Sequence, residues 1–183
     1  MGHIYDRNMH LYQPVSLYQA AASAGSATFT LTKSGNLWYL RCVGGATGEP
    51  HAIAVKQVIS PYLACSADTP GYSQKGFCLK RVTIWYYPAL NVTSVAAALY
   101  QATAPADGAA WGSASAMDVS YDADHDAAAE RIADQYHRMT LTLTSPTWLA
   151  PTTLYTVEFQ SELGNSGEVY LIHGVRAEGE IRL

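Results

Sequence analysis

The sequence predicts an all-β fold, an antiparallel β-sandwich, on three observations. Segments rich in β-branched and aromatic residues recur at short intervals along the chain. Several of them alternate strictly between apolar and polar residues, which is the period of a half-buried strand, and breaks containing Gly or Pro separate them. A single segment reads as a helix, and it is brief.

The elements follow in chain order. Residues 1–26 read as an extended N-terminal arm: polar and aromatic residues mix without period, Pro14 interrupts, and the run from Ala20 to Ser26 has little to bury. A short helix over residues 15–22 fits within it. Residues 27–77 read as a β-hairpin and a long connecting loop joined to the sandwich. In 27–32, Ala27, Phe29 and Leu31 share a face against Thr28, Thr30 and Thr32; Lys33-Ser34-Gly35-Asn36 turns the chain, and 37–43 returns. A further strand spans 51–59, and 60–76, with Pro61, Pro70, Gly71 and Gly76, is the connection.

Residues 78–183 read as the sandwich domain. The segment 78–87 is rich in β-branched and aromatic residues and stops at Pro88, whereas the Ala-rich 92–101 fits a strand or a helix. Residues 139–144 alternate without exception, Tyr155, Val157 and Phe159 share a face, and 175–183 places Val175, Ala177, Gly179, Ile181 and Leu183 inward. The helix is expected over 126–135, with acidic residues before it and Arg131 inside it, as the helix dipole favours. Eight or more short strands with one brief helix favour a jelly roll among sandwiches, although periodicity does not specify topology.

Composition narrows the function. Of the 183 residues 49% are hydrophobic, enough for a full core, while only 14% are charged, well below the usual quarter or so. Low charge beside thirteen Tyr and four Trp suits a surface partly covered by neighbours, because these side chains favour sites that are apolar at one end and wet at the other. The net charge of −4, with no Lys/Arg cluster, argues against nucleic acid. No apolar run approaches the roughly 18 residues of a membrane span, and the N-terminus lacks signal-peptide features, so synthesis in a cytoplasm is expected. Cys42, Cys65 and Cys78 are an odd number without C-x-x-C spacing and read as apolar fillers, not a disulfide framework or thiolate site.

No catalytic, cofactor-binding or metal-binding residue is assigned. Asp122, Asp124 and Asp126 begin like a calcium loop, but Ala127 and Ala133 stand where an EF-hand needs Gly and Glu, so the acidic run is expected to cap a helix. The six histidines (His3, His10, His51, His125, His137 and His173) show no metal-ligand spacing, and no nucleophile elbow or phosphate loop occurs. Glu158 and Glu162 read as surface charge on a strand. Trp38, Tyr39, Trp85, Tyr86, Tyr87, Trp111 and Trp148 could make a carbohydrate platform, since flat rings stack on sugar faces. Neighbouring residues on a strand point to opposite faces, so one of Trp38 and Tyr39, and one of Trp85 and Tyr86, belongs to the core.

One resemblance adds to this. The strand 82–87, Ala97-Ala-Leu-Tyr100, Pro105-Ala-Asp-Gly, Tyr121-Asp122 with Asp124-His-Asp126, Ala128-Ala-Glu-Arg131, His137-x-Met139-Thr-Leu-Thr-Leu143, and the ending from Gly174-Val-Arg-Ala177 through Ile181-Arg-Leu183 resemble small β-sandwich proteins encoded among the head genes of tailed phages and prophages. The resemblance covers somewhat over half of the chain, from about Cys78 onward. It implies a virion structural component, a capsid decoration (cement) protein or head-fibre base, located on the capsid surface. Its expected partners are the major capsid protein and copies of itself, a trimer suiting a capsid symmetry axis. No catalytic residues or cofactors come with it. On this expectation the arm and exposed aromatics make the contacts, with Ile4, Tyr5, Leu11, Tyr12, Tyr18 and Trp111 as interface residues. The other expectation is a carbohydrate-binding module on a virion or cell surface.

Overall fold

The computed structural model describes residues 6–14, 19–22, 27–34, 37–44, 51–59, 76–88, 92–103, 105, 107, 113–125, 127–150, 152–163 and 169–182. They form strands β1 (Asp6–Pro14), β2 (Gln19–Ala22), β3 (Ala27–Ser34), β4 (Leu37–Gly44), β5 (His51–Ile59), β6 (Gly76–Pro88), β7 (Val92–Thr103), β8 (Ser115–Ala116), β9 (Val119–Tyr121), β10 (His137–Trp148), β11 (Thr153–Leu163) and β12 (Val169–Arg182). The large sheet runs β3-β4-β12-β6-β10-β9, with β1 also on β12; the small sheet runs β2-β5-β11-β7-β8. All pairings are antiparallel, and four of them nest: β4 with β12, β5 with β11, β6 with β10 and β7 with β8. Early strands thus pair with late ones in reverse order, alternating between the two sheets. A long antiparallel ribbon rolled in this way is a jelly roll.

The core lies between the sheets and follows the two-residue period. From β10, His137, Met139, Leu141 and Leu143 point in while Arg138, Thr142 and Thr144 point out. From β6, Val82, Ile84 and Tyr86 point in; from β7, Val95, Ala97 and Leu99; from β11, Tyr155, Val157 and Phe159. Each large side chain so buried contributes about 1.5–3 kcal/mol relative to exposure. The Ala-rich stretch is therefore a strand, because its odd positions meet β11 and the core where a helix would have no face to bury. Cys42 and Cys78 are buried among these residues, and burial pushes the Cys42 thiol up to about 12, an inert filler's behaviour. On β12, Gly179 passes so close to β6 that a Cβ would strike the Cys78 carbonyl and the Phe77 ring.

The open edge of β7 is covered by side chains and loop amides. The Arg131 guanidinium donates to the Val92 carbonyl at 2.9 Å, the Tyr121 hydroxyl to that of Ala97 at 2.7 Å, and the Met117 amide to that of Leu99 at 2.8 Å. Tyr121, in β9 of the large sheet, thereby ties the two sheets together along one side, Met117 extends the β7–β8 pairing, and a row of backbone acceptors that could template another strand is occupied.

Three expectations are corrected. Residues 1–26 are not an arm where they are described: β1 pairs with β12 from Asp6↔Arg182 to Pro14↔Gly174, and β2 pairs with β5. The backbone hydrogen bonds of the sheet edges supply the order that the sequence pattern lacks. The helix expected over 15–22 gives way to β2 in its second half, residues 15–18 being outside the described residues. The helix expected over 126–135 is a single 3-10 turn, Ala128–Arg131, whose N-terminal flank at Ala127 has no side-chain cap. The acidic residues do not act as caps, and without an apolar face to bury, so short a segment has no tertiary support for a longer helix. On β12, Val175 and Ala177 are buried as expected, whereas the side chains of Ile181 and Leu183 lie outside the described residues.

Two outcomes test this arrangement. Leu141→Ala removes methylenes from a fully buried site and should cost about 2–5 kcal/mol in denaturant unfolding, against less than about 0.5 kcal/mol for the outward Thr142→Ala; equal small effects would show that β10 does not line the core. Deleting residues 1–14 should lower the melting temperature, since the β12 edge loses its partner; an unchanged transition would show that β1 adds nothing to the fold.

Candidate functional site

Tyr86 anchors the polar end of the core. Its ring is fully buried, packing on Phe159 with centroids 5.5 Å apart and stacking on His137 at 5.4 Å. Its hydroxyl donates to the Glu130 carbonyl at 3.1 Å and lies 3.1 Å from His125 Nδ1. His125 Nε2–H donates to Asp122 Oδ1 at 2.7 Å, and that oxygen also accepts the Thr140 amide at 2.9 Å. The Glu130 carboxylate stands between two imidazoles, 3.5 Å from His125 Nδ1 and 3.6 Å from His137 Nδ1. His137 Nε2 donates to the Ile132 carbonyl at 3.0 Å. Burial, with negative potential from Glu130 and Asp122, raises the Tyr86 phenol, so it stays protonated. Burial also works to raise Asp122, but the hydrogen bonds from His125 and Thr140 prevail and hold its carboxyl below the ordinary range.

An Asp–His–hydroxyl relay has the connectivity of a nucleophile-activating triad. Here the hydroxyl belongs to a residue buried in the core, and the hollow of about 230 Å³ beside the cluster is lined by His125 but not by Tyr86. What the cluster does is fasten the 122–137 loop onto β6. Sequence pattern singled out Asp122 and Asp124 but not this partnership, because Tyr86 is 39 positions from His125. Asp124 is exposed and Asp126 lies outside the described residues. Among the described residues no group of three or more His, Cys, Asp or Glu side chains is placed to hold a metal ion.

The fastened loop presents a second feature on the outer face of the large sheet. Trp85 and Tyr87 flank the inward Tyr86 and point out, as strand alternation requires. Just before β10, Tyr136 is 66% exposed, tilted against Tyr87 with centroids at 4.9 Å and edge-on to His173 at 4.9 Å. Asp134 adopts φ 59°, a left-handed conformation that Asp tolerates, and its carboxylate accepts the Tyr87 hydroxyl at 3.1 Å. That bond raises the Tyr87 phenol. Burial lowers the His173 imidazole, so at neutral pH it packs as an uncharged ring. Beside these rings the Arg176 guanidinium lies 5.2 Å over Trp85 and pairs with Glu178, which also meets Arg81 Nε at 3.3 Å. Arg138 stands opposite Trp85 in the β10–β6 register and is exposed.

Leu11 and Tyr12 sit in β1 opposite Ala177 and Arg176; Ile4, Tyr5, Tyr18 and Trp111 lie outside the described residues. Trp148 is 39% exposed at the far end of β10, opposite Cys78. Glu158, read as surface charge, is buried, and Gln160 donates to its carboxylate. Two hollows open beside β8 and β9: one of about 270 Å³ by Met117 and Thr147, and one of about 230 Å³ by Tyr121, Asp124 and Met139.

No protein-family model matches the sequence, and no curated protein matches it. Among solved structures, the chain is similar to carbohydrate-binding modules of the β-sandwich superfamily described as promiscuous in specificity (12% identity, TM-score 0.40), covering 93% of this chain and 55% of that one, little more than half its length. It is similar to a family 61 carbohydrate-binding module bound to β-1,4-galactotriose (9% identity, TM-score 0.41, covering 92% and 90%). A third is a family 28 module specific for non-crystalline cellulose (11% identity, TM-score 0.41, covering 82% and 81%). Likeness this distant carries no argument about function.

Tyr86→Phe keeps the ring and removes the hydroxyl. It should cost about 1–3 kcal/mol, since it leaves the Glu130 carbonyl and His125 Nδ1 without that partner. Thermal unfolding checks this, and a variant as stable as the parent would show that the hydroxyl does not fasten the loop.

Proposed function

We propose that this protein is a carbohydrate-binding β-sandwich module whose ligand lies on the Tyr87–Tyr136–His173 platform, with Trp85 alongside. The observation that carries the reading is Tyr136. A large ring held two-thirds exposed by contacts with two further rings is fixed before any ligand arrives, so little freedom is lost on binding. Pyranose rings present apolar C–H faces edged by hydroxyls, and an aromatic surface rimmed by Asp134 and Arg138 offers both matching chemistries. The buried polar cluster below fits this reading as the foundation of the loop that carries Tyr136 and Asp134. A capsid partner and a virion location stay proposals: on that reading the same sandwich rides on a particle with its platform outward, and the sequence resemblance alone supports it.

Soluble β-glucan, galactan and acidic polysaccharides in affinity electrophoresis test the proposal. At least one should retard the protein, and Tyr136→Ala should weaken that binding about tenfold, some 1.4 kcal/mol, with no change in thermal unfolding. Absence of binding to any of them, or full binding by Tyr136→Ala, would refute it.

A further inference from the structure

Most of the described charge on the outer face of the large sheet has a partner, and two exposed arginines, Arg41 on β4 and Arg138 on β10, have none among the described residues. Lys80 pairs with Glu180, Arg81 and Arg176 both pair with Glu178, and Asp134 is occupied by the Tyr87 hydroxyl. Arg138 has no carboxylate within ion-pair distance among the described residues. It is exposed, it stands directly opposite Trp85, and it follows Tyr136 by two positions, so it shares Tyr136's face of the sheet. Two residues along a strand span about 6.6 Å, which an arginine side chain covers easily. A sugar ring stacked on Tyr136 would therefore have its edge substituents within reach of the guanidinium. His173, the other basic group at the platform, is uncharged at neutral pH because burial lowers its imidazole. Arg138 therefore places an unpaired positive charge at the border of the platform, in a chain whose net charge is −4.

We infer that the platform selects acidic glycans, Arg138 receiving the carboxylate of a uronic acid whose ring stacks on Tyr136. This rests on the carbohydrate-binding reading above and adds the ligand class to it. The planar guanidinium suits a carboxylate because two parallel N–H groups meet its two oxygens, whereas a neutral sugar's hydroxymethyl group offers only one. Arg138 is solvent-exposed, so the gain is modest, about fivefold in affinity, and falls as salt screens it.

Calorimetric titration of the full chain with polygalacturonate, and with the same polymer after its carboxyl groups are reduced to hydroxymethyl, tests the inference at low and high salt. The native chain should bind the acidic polymer about fivefold more tightly at low salt. Arg138→Gln should erase that preference while still binding the reduced polymer, and Arg81→Gln, whose charge is already matched by Glu178, should keep it. Equal affinity for the two polymers, or a preference that survives Arg138→Gln, overturns the inference and leaves carbohydrate binding standing. Failure of both polymers and of every neutral glycan overturns the two together. Equal binding of polyacrylate, which has charge but no ring to stack, also overturns it.

Discussion

Strand β6 is hydrogen-bonded on both sides, to β12 and to β10, and consecutive residues on such a strand must face opposite ways. From this constraint the rest of the molecule follows. Val82, Ile84 and Tyr86 go to the core because their neighbours on β10 and β12 do, and Thr83, Trp85 and Tyr87 are thereby sent to the outer face. A one-residue slip would exchange the two sets and expose the core. The aromatic platform is thus fixed by the same register that fixes the hydrophobic interior. Stability and surface display are two faces of one pairing.

The loop that completes the platform has little apolar surface to hold it. Between Asp122 and Tyr136 only His125 is buried among the described residues, and the 3-10 turn buries nothing. Polar contacts substitute for packing: Asp122 and His125 at one end, Glu130 in the middle, and the Ile132 carbonyl on His137 at the other, all gathered on the Tyr86 ring and hydroxyl. Buried networks of this kind gain from low dielectric when every member is satisfied, and they define a single geometry more sharply than apolar contacts do. The same loop then positions Asp134 and Tyr136 on the outer side of the sheet.

What was legible in the sequence follows from locality. Alternation in 139–144 and in Tyr155, Val157 and Phe159 states which face is buried, and the Trp85-Tyr86-Tyr87 triplet had to split between core and surface. The Ala-rich β7 was ambiguous because alanine fits either period, and only the partner β11 decides it. Strands β1 and β2 escaped notice because an edge strand is held by backbone bonds and needs no pattern of its own. The platform was half legible: Trp85 and Tyr87 stood out as aromatics on a strand, whereas Tyr136 and His173 come from positions far along the chain and carry no motif. The acidic run at 122–126 was conspicuous, but its use depends on a tyrosine 39 positions from His125, which no local pattern reveals.

The charges beside the platform also set its limits. Glu178 is 8% exposed although it points away from the core, and taking a carboxylate out of water costs several kcal/mol unless it is well paired. Arg81 and Arg176 both meet it, so two guanidiniums offset the cost of its burial. Arg176 supplies one of these partners, and its guanidinium lies over the Trp85 ring. Trp85 is therefore a partly covered wall, not an open stacking surface. The area available to a ligand contracts to the end of the sheet where Tyr87, Tyr136 and His173 meet, with Arg138 as the cation at its border. On the proposed carbohydrate-binding reading, a site of that size would hold one ring firmly and its neighbours loosely, so selectivity would come from the substituents of the stacked sugar more than from the length of the chain to which it belongs.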